Sequence, residues 1–176
     1  MSGIKMGKVM CRPGITIEDV NLQLDNNSGY IEGKVQITIA LKNNSKTEIY
    51  YVLKRPRNID YDHGSRTLLI GLYEKEPPQD EKVGSMPFEP EQVAIMPDTE
   101  FQWKYLVPLW IKRITRPSGA REIVEVLNIS DVQKVVCKVA YHTSPFRVEL
   151  SDKMPVALSK WGEVVSAGFG RAIINH

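Results

Sequence analysis

The chain has 176 residues, 42% of them hydrophobic and 25% charged, with a formal net charge of +2. Such a chain is long enough to bury a core without disulfide or metal staples, and its composition excludes wholesale disorder. A charge this small gives no ground, from the total alone, for a nucleic-acid or membrane partner.

Residues 1–17 begin MSGIKMGKVMCRPG, where Lys5 and Lys8 break up the apolar residues. There is no export-signal core and no run of about 18 apolar residues, so the segment reads as a flexible lead and the chain as cytoplasmic. Cys11 and Cys137 are then expected as reduced thiols, since one pair cannot make a disulfide framework.

The first expected strand is Val20 to Leu24, with Val20, Leu22 and Leu24 on one face. Asn26-Asn27-Ser28-Gly29 supplies hairpin-turn residues that tolerate positive φ. Tyr30 to Lys42 returns as a strand: Val35, Ile37, Ile39 and Leu41 point one way, Gln36, Thr38 and Lys42 the other. A pleated backbone sends successive side chains to opposite faces, so this strand has one dry and one wet surface. Asn43-Asn44-Ser45-Lys46 turns the chain again, and Thr47 to Leu53 follows, rich in β-branched and aromatic residues. Arg55 to Arg66 reads as an irregular loop. Thr67 to Tyr73 reads as a strand in which Gly71 marks a bulge or a close backbone approach. Glu74 to Pro90, dense in proline and acidic groups, reads as a long surface loop, because proline cannot donate to a ladder.

Gln92 to Met96 and Thr99 to Leu106 flank Pro97-Asp98, and in the latter Phe101, Trp103 and Tyr105 alternate with Gln102 and Lys104. Leu109 to Thr115, Ala120 to Ile129 and Phe146 to Leu150 are further expected strands. Ser130 to His142 fits two periods. Val132, Val135, Val136 and Val139 suit a helix, while Val135, Cys137, Val139 and Tyr141 suit a pleat. The wealth of valine favours the strand. Residues 153–176 are left as a tail packed on the domain or partly disordered, with a short helix around Trp161 as the alternative to coil.

About eight or nine short strands separated by turns, with no βαβ alternation, argue for an all-β antiparallel sandwich or barrel. The pattern resembles the broad immunoglobulin-like sandwich class, with Trp103 on a central strand and Val135-x-Cys137-x-Val139-x-Tyr141 on a late one. The resemblance implies an architecture over residues 18–152 and no functional residue.

Among residues that carry chemistry, the densest cluster is Asp60-Tyr61-Asp62-His63-Gly64-Ser65. Two carboxylates and an imidazole can ligate a metal, or His63 can act as a base beside Ser65. The same residue types are what a turn needs, and no HExxH, CxxC or EF-hand spacing accompanies them, so the turn reading weighs more. Cys137 and His142 fall on opposite faces of a strand and cannot pair as nucleophile and base. Cys137, among valines, reads as a small core hydrophobe with a raised pKa. With 3 histidines in the chain, a triad or zinc site has few places to form, and the chain reads as non-enzymatic, with no cofactor and no metal.

From Lys104 through Arg121 there is no acidic residue, while Lys104, Lys112, Arg113, Arg116 and Arg121 are basic; Lys54, Arg55 and Arg57 form another basic group. With Tyr105 and Trp110 in the longer stretch, a groove that tracks a nucleic-acid backbone and stacks bases is one reading. A solvated strand face with both rings in the core is the plainer one. The 74–90 loop, with Val83, Met86 and Phe88, can offer apolar contacts to a partner pocket, as protease inhibitors do.

The sequence therefore points to a non-enzymatic protein-interaction module or accessory subunit. It is expected to bind another protein, or a copy of itself, through edge strands or loops, with Arg57, Asp62, His63, Met86, Phe88 and Trp110 as contact residues. The alternatives are a metal-dependent enzyme or binder centred on Asp60, Asp62 and His63, a nucleic-acid binder using Lys104 to Arg121, and an inhibitor-like loop presenter.

Overall fold

The computed structural model describes residues 12–25, 33–73, 91–115, 121–146, 150–151, 154–155 and 163–170. Among them there is no helix. One sheet has the order β1 (Ile15–Asp25), β2 (Lys34–Asn43), β7 (Glu100–Pro108), all antiparallel. Its dry face follows from alternation: Val35, Ile37, Ile39 and Leu41 of β2 are each fully buried. Strand β1 reaches back beyond Val20 because a bulge between Ile17 and Asp19 inserts Glu18. That extra residue resets the pleat, so Ile15 and Ile17 before it and Val20 and Leu22 after it all face inward.

The other large sheet has the order β4 (Asn58–Asp62), β5 (Thr67–Leu72), β10 (Lys134–His142), β3 (Tyr50–Leu53), β6 (Gln92–Ile95), and β13 (Glu163–Gly170) pairs with β10 on its other side. The segment of ambiguous periodicity, 130–142, thus supplies the central strand of this sheet, with Val135, Cys137 and Val139 fully buried. Both sheets feed one buried cluster, the arrangement of a β-sandwich.

Four readings are corrected. The sheet is mixed, because β5 and β10 run parallel, from Lys134↔Thr67 to Val139↔Leu72; strand order is a long-range property that alternation does not encode. The Arg55–Arg66 loop holds a strand, β4, whose turn-forming Asn and Asp residues hide a single buried residue, Tyr61, and which exists through its pairing with β5. Here Gly71 marks a close approach, since a Cβ on it would sit 3.0 Å from the Cβ of Asn58 across the ladder. Phe146 is buried but lies outside a strand, and a short pair, β11 (Leu150–Ser151) with β12 (Met154–Pro155), follows residues 147–149, which are outside the described residues. In the tail, Glu163–Gly170 is a strand: Val165, Ala167 and Phe169 lie half-buried on the core and alternate with exposed Ser166, Gly168 and Gly170. Trp161 is outside the described residues.

The remaining pair, β8 (Trp110–Thr115) and β9 (Ile123–Asn128), forms an antiparallel hairpin that is a two-stranded sheet of its own. No helix among the described residues is long and apolar enough to cross a membrane.

Candidate functional site

The hairpin exposes apolar side chains on its outward face. Directly opposed residues of an antiparallel pair share a face. One face therefore carries Ile111 with Leu127, Arg113 with Glu125, and Thr115 with Ile123. The opposite face carries Trp110 with Asn128, Lys112 with Val126, and Ile114 with Val124. Ile111 and Leu127 are buried, so the root of their face is turned toward the body, while Ile123 at the tip of the same face is 56% exposed. The face of Trp110 is turned to solvent and carries four exposed apolar residues beside Lys112 and Asn128: Trp110 is 44% exposed, Ile114 53%, Val124 52% and Val126 52%. Scattered exposed hydrophobics are ordinary, whereas four on one face of a two-stranded ribbon form a patch.

The footing of this hairpin is Arg113. Its Nε and Nη2 donate to Asp60 Oδ1 at 2.8 and 2.6 Å, Nη2 also donates to the carbonyl of Tyr61 at 2.6 Å, and Nη1 donates to Glu125 Oε2 at 3.1 Å. A planar guanidinium can bridge β8 to β4 and to β9 in this way because its donors form a rigid fork. The bond to Asp60 raises the Arg113 pKa further. The anchor is continued at the root of the hairpin, where Ile129 N–H donates to Leu109 C=O at 2.9 Å and Ile129 is fully buried.

The structure separates the cluster that the sequence grouped as a candidate metal or catalytic loop. Asp60 is the partner of Arg113. Asp62 closes its own turn, accepting from Gly64 N–H at 3.1 Å and from the Ser65 hydroxyl at 2.6 Å, and the Ser65 bond leads in lowering its pKa. His63 is exposed and meets Tyr61 edge-on, ring centroids 4.8 Å apart. Tyr61 itself donates to Asp131 Oδ1 at 2.6 Å, and burial together with that bond pushes its pKa up to about 12. Among the described residues no three His, Cys, Asp or Glu side chains come together to hold a metal.

Arg57 is exposed, and its N–H donates to Gly71 C=O at 2.9 Å. Met86 and Phe88 lie outside the described residues, as does Arg116. Lys104, Lys112 and Arg121 are exposed, while Arg113 is committed to carboxylates. The reading that put both rings of the basic stretch in the core holds for Tyr105 only in part and fails for Trp110: Tyr105 packs half-buried on the core, and Trp110 stands in solvent because its face of β8 points away from the body. Ile114, Val124 and Val126, which share this outward face with Trp110, are not among the contact residues expected from the sequence. The signal was present in β9, where apolar residues occupy both pleat faces of a short strand.

Another depression, about 560 Å³, opens at the other end of the molecule between Arg12, Lys42, Tyr50, Asp98 and Glu163. Beneath it the Tyr141 hydroxyl donates to Glu163 Oε2 at 2.5 Å and accepts from Gly14 N–H at 3.1 Å, and Tyr50 packs edge-on against Tyr141. Its lining mixes both signs of charge, and its polar floor is spent on closing β13 and the start of β1. Comparison with family models, with curated proteins and with solved structures returned no match.

Proposed function

We propose that this protein is a non-enzymatic protein-interaction module, an accessory subunit built on an immunoglobulin-like sandwich, and that it grips its partner through the outward face of the β8–β9 hairpin. The observation that carries this reading is the apolar patch on the outward face of the ribbon: Trp110, Ile114, Val124 and Val126 point toward solvent beside a single charge, Lys112, while Arg113 and Glu125 pair with each other on the other face. An isolated two-stranded ribbon is marginal in water, and an exposed apolar face adds a standing cost that burial against a partner would remove. Edge strands with unpaired backbone groups supply the other element of such a contact.

The test is site-specific photocrosslinking in cell extract, with benzoylphenylalanine placed at Ile114 on the outward face or at exposed Lys46 on the opposite part of the molecule. A discrete protein adduct from position 114, absent from position 46 and lost when Val124→Lys is added, supports the reading. Equal adducts at both positions, or none at 114, overturns it.

A further inference from the structure

Resting on that reading, we infer that the occupant is an extended segment of a different protein, apolar in alternation and bearing a carboxylate, which adds to the hairpin as a third strand along β9. Three features of the ribbon lead to this.

The first is the state of the edge. Among the described residues β9 pairs with β8 alone, and β8 is the strand that lies against β4. Exposed edges are normally blunted by lysine, proline, a bulge or an inward charge. Strand β9 reads IVEVLN, without lysine or proline, and its one charge, Glu125, is neutralised by Arg113. An unguarded row of donors and acceptors is a template for main-chain pairing.

The next is charge. Between 110–115 and 123–128 the outward face has one ionised side chain, Lys112, exposed and with no ion-pair partner among the described residues. Arg121, just ahead of β9, is exposed and likewise unpaired among them. A copy of this face would bring like charge to Lys112, whereas a glutamate or aspartate on the outward side of an added strand meets it over Val126. Complementary charge of this kind selects partner and register.

The third is area. Six residue pairs make a ribbon roughly 20 Å long and about 10 Å wide, so one face offers on the order of 200 Å². Two such faces packed flat bury about 400 Å², well under the roughly 1,000 Å² expected of a stable protein interface. Self-association through the face alone falls short. A strand that takes up the edge hydrogen bonds as well as the apolar side chains does not depend on area in the same way. A lipid surface would cover the side chains but leave the edge groups unpaired.

The experiment pans a random dodecapeptide phage library against the full chain, then measures the enriched peptides as synthetic ligands by fluorescence anisotropy. The expected peptides alternate apolar residues and carry Asp or Glu; their affinity falls about tenfold or more in Val124→Lys and in Lys112→Glu, and methylating alternate backbone nitrogens abolishes it. Peptides lost in Val124→Lys but indifferent to Lys112→Glu, or without acidic bias, overturn the assigned chemistry and leave the interaction reading standing. Enriched peptides indifferent to Val124→Lys, or no enrichment, overturn both. A concentration-dependent dimer in sedimentation, or binding to vesicles of phosphatidylserine and phosphatidylcholine, overturns the inference if Val124→Lys abolishes it. Val124 is 52% exposed, and an unchanged unfolding temperature certifies that each variant is folded.

Discussion

At the scale of single residues, a small number of polar groups sit in unusual places within the apolar core. Among the described residues Asn43 is the buried polar residue of the core: its Nδ2 donates to Glu48 C=O at 2.8 Å and Ile95 C=O at 2.9 Å, and its Oδ1 accepts from Ser45 N–H at 2.9 Å. Replacing it by alanine strands three backbone groups, so Asn43→Ala is expected to lower unfolding free energy by about 3 kcal/mol in urea titration. The opposite sign is expected at Tyr105. Its hydroxyl is buried with no hydrogen-bond partner among the described residues, and burial drives its pKa up. Tyr105→Phe removes an unsatisfied group and should raise stability by about 1 kcal/mol, read as a higher urea midpoint. Cys137, fully buried, has its thiol pKa pushed by burial from 9.0 to about 12. The folded state therefore holds its proton after the unfolded chain has lost it. That contribution is intact below pH 9.0 and drains away as pH rises toward about 12. Urea midpoints between pH 8.5 and 10 should fall less steeply in Cys137→Val than in the parent, and identical slopes would refute this.

At the scale of elements, the hairpin and its clamp behave as a unit. Arg113→Ala removes the link from β8 to Asp60 and Tyr61. Amide exchange should then quicken across 110–115 and 123–128, with a global loss of only about 1 kcal/mol, because the salt bridge is half-exposed. Arg113→Lys should not restore protection, since one ammonium cannot reach a carboxylate and a carbonyl in the same fork. Strands with a single dry face, such as β2 and β7, were legible because period two survives intact in their residues. β4 was not, because Asn58, Asp60 and Asp62 carry turn chemistry and one buried tyrosine cannot outvote them. The outward side chains of β8 and β9 were legible as strand residues and illegible as surface. Alternation tells which residues share a face, and only the placement of Ile111 and Leu127 against the body tells which face is wet.

At the scale of the whole molecule, β10 is the organising strand: it has β13 on one side and β5 with β3 on the other. A chain ending at residue 162 would lack β13 and bare both the edge of β10 and the apolar groups that Val165, Ala167 and Phe169 cover. It should lose its near-ultraviolet circular dichroism signal or aggregate, where removal of a merely appended tail would leave the spectrum unchanged. The all-β outcome could be read from turn spacing. The parallel β5–β10 pair could not, since no local pattern records which distant strands become neighbours.

The two sides of the ribbon answer to different demands. The guanidinium clamp and the root residues fix where the arm stands, while positions 110, 114, 124 and 126 lie on its outward face, each about half exposed. Under the proposed function, sequence drift at those four sites rewrites specificity while the clamp stays fixed. On that reading the arm is a replaceable tip on a fixed handle.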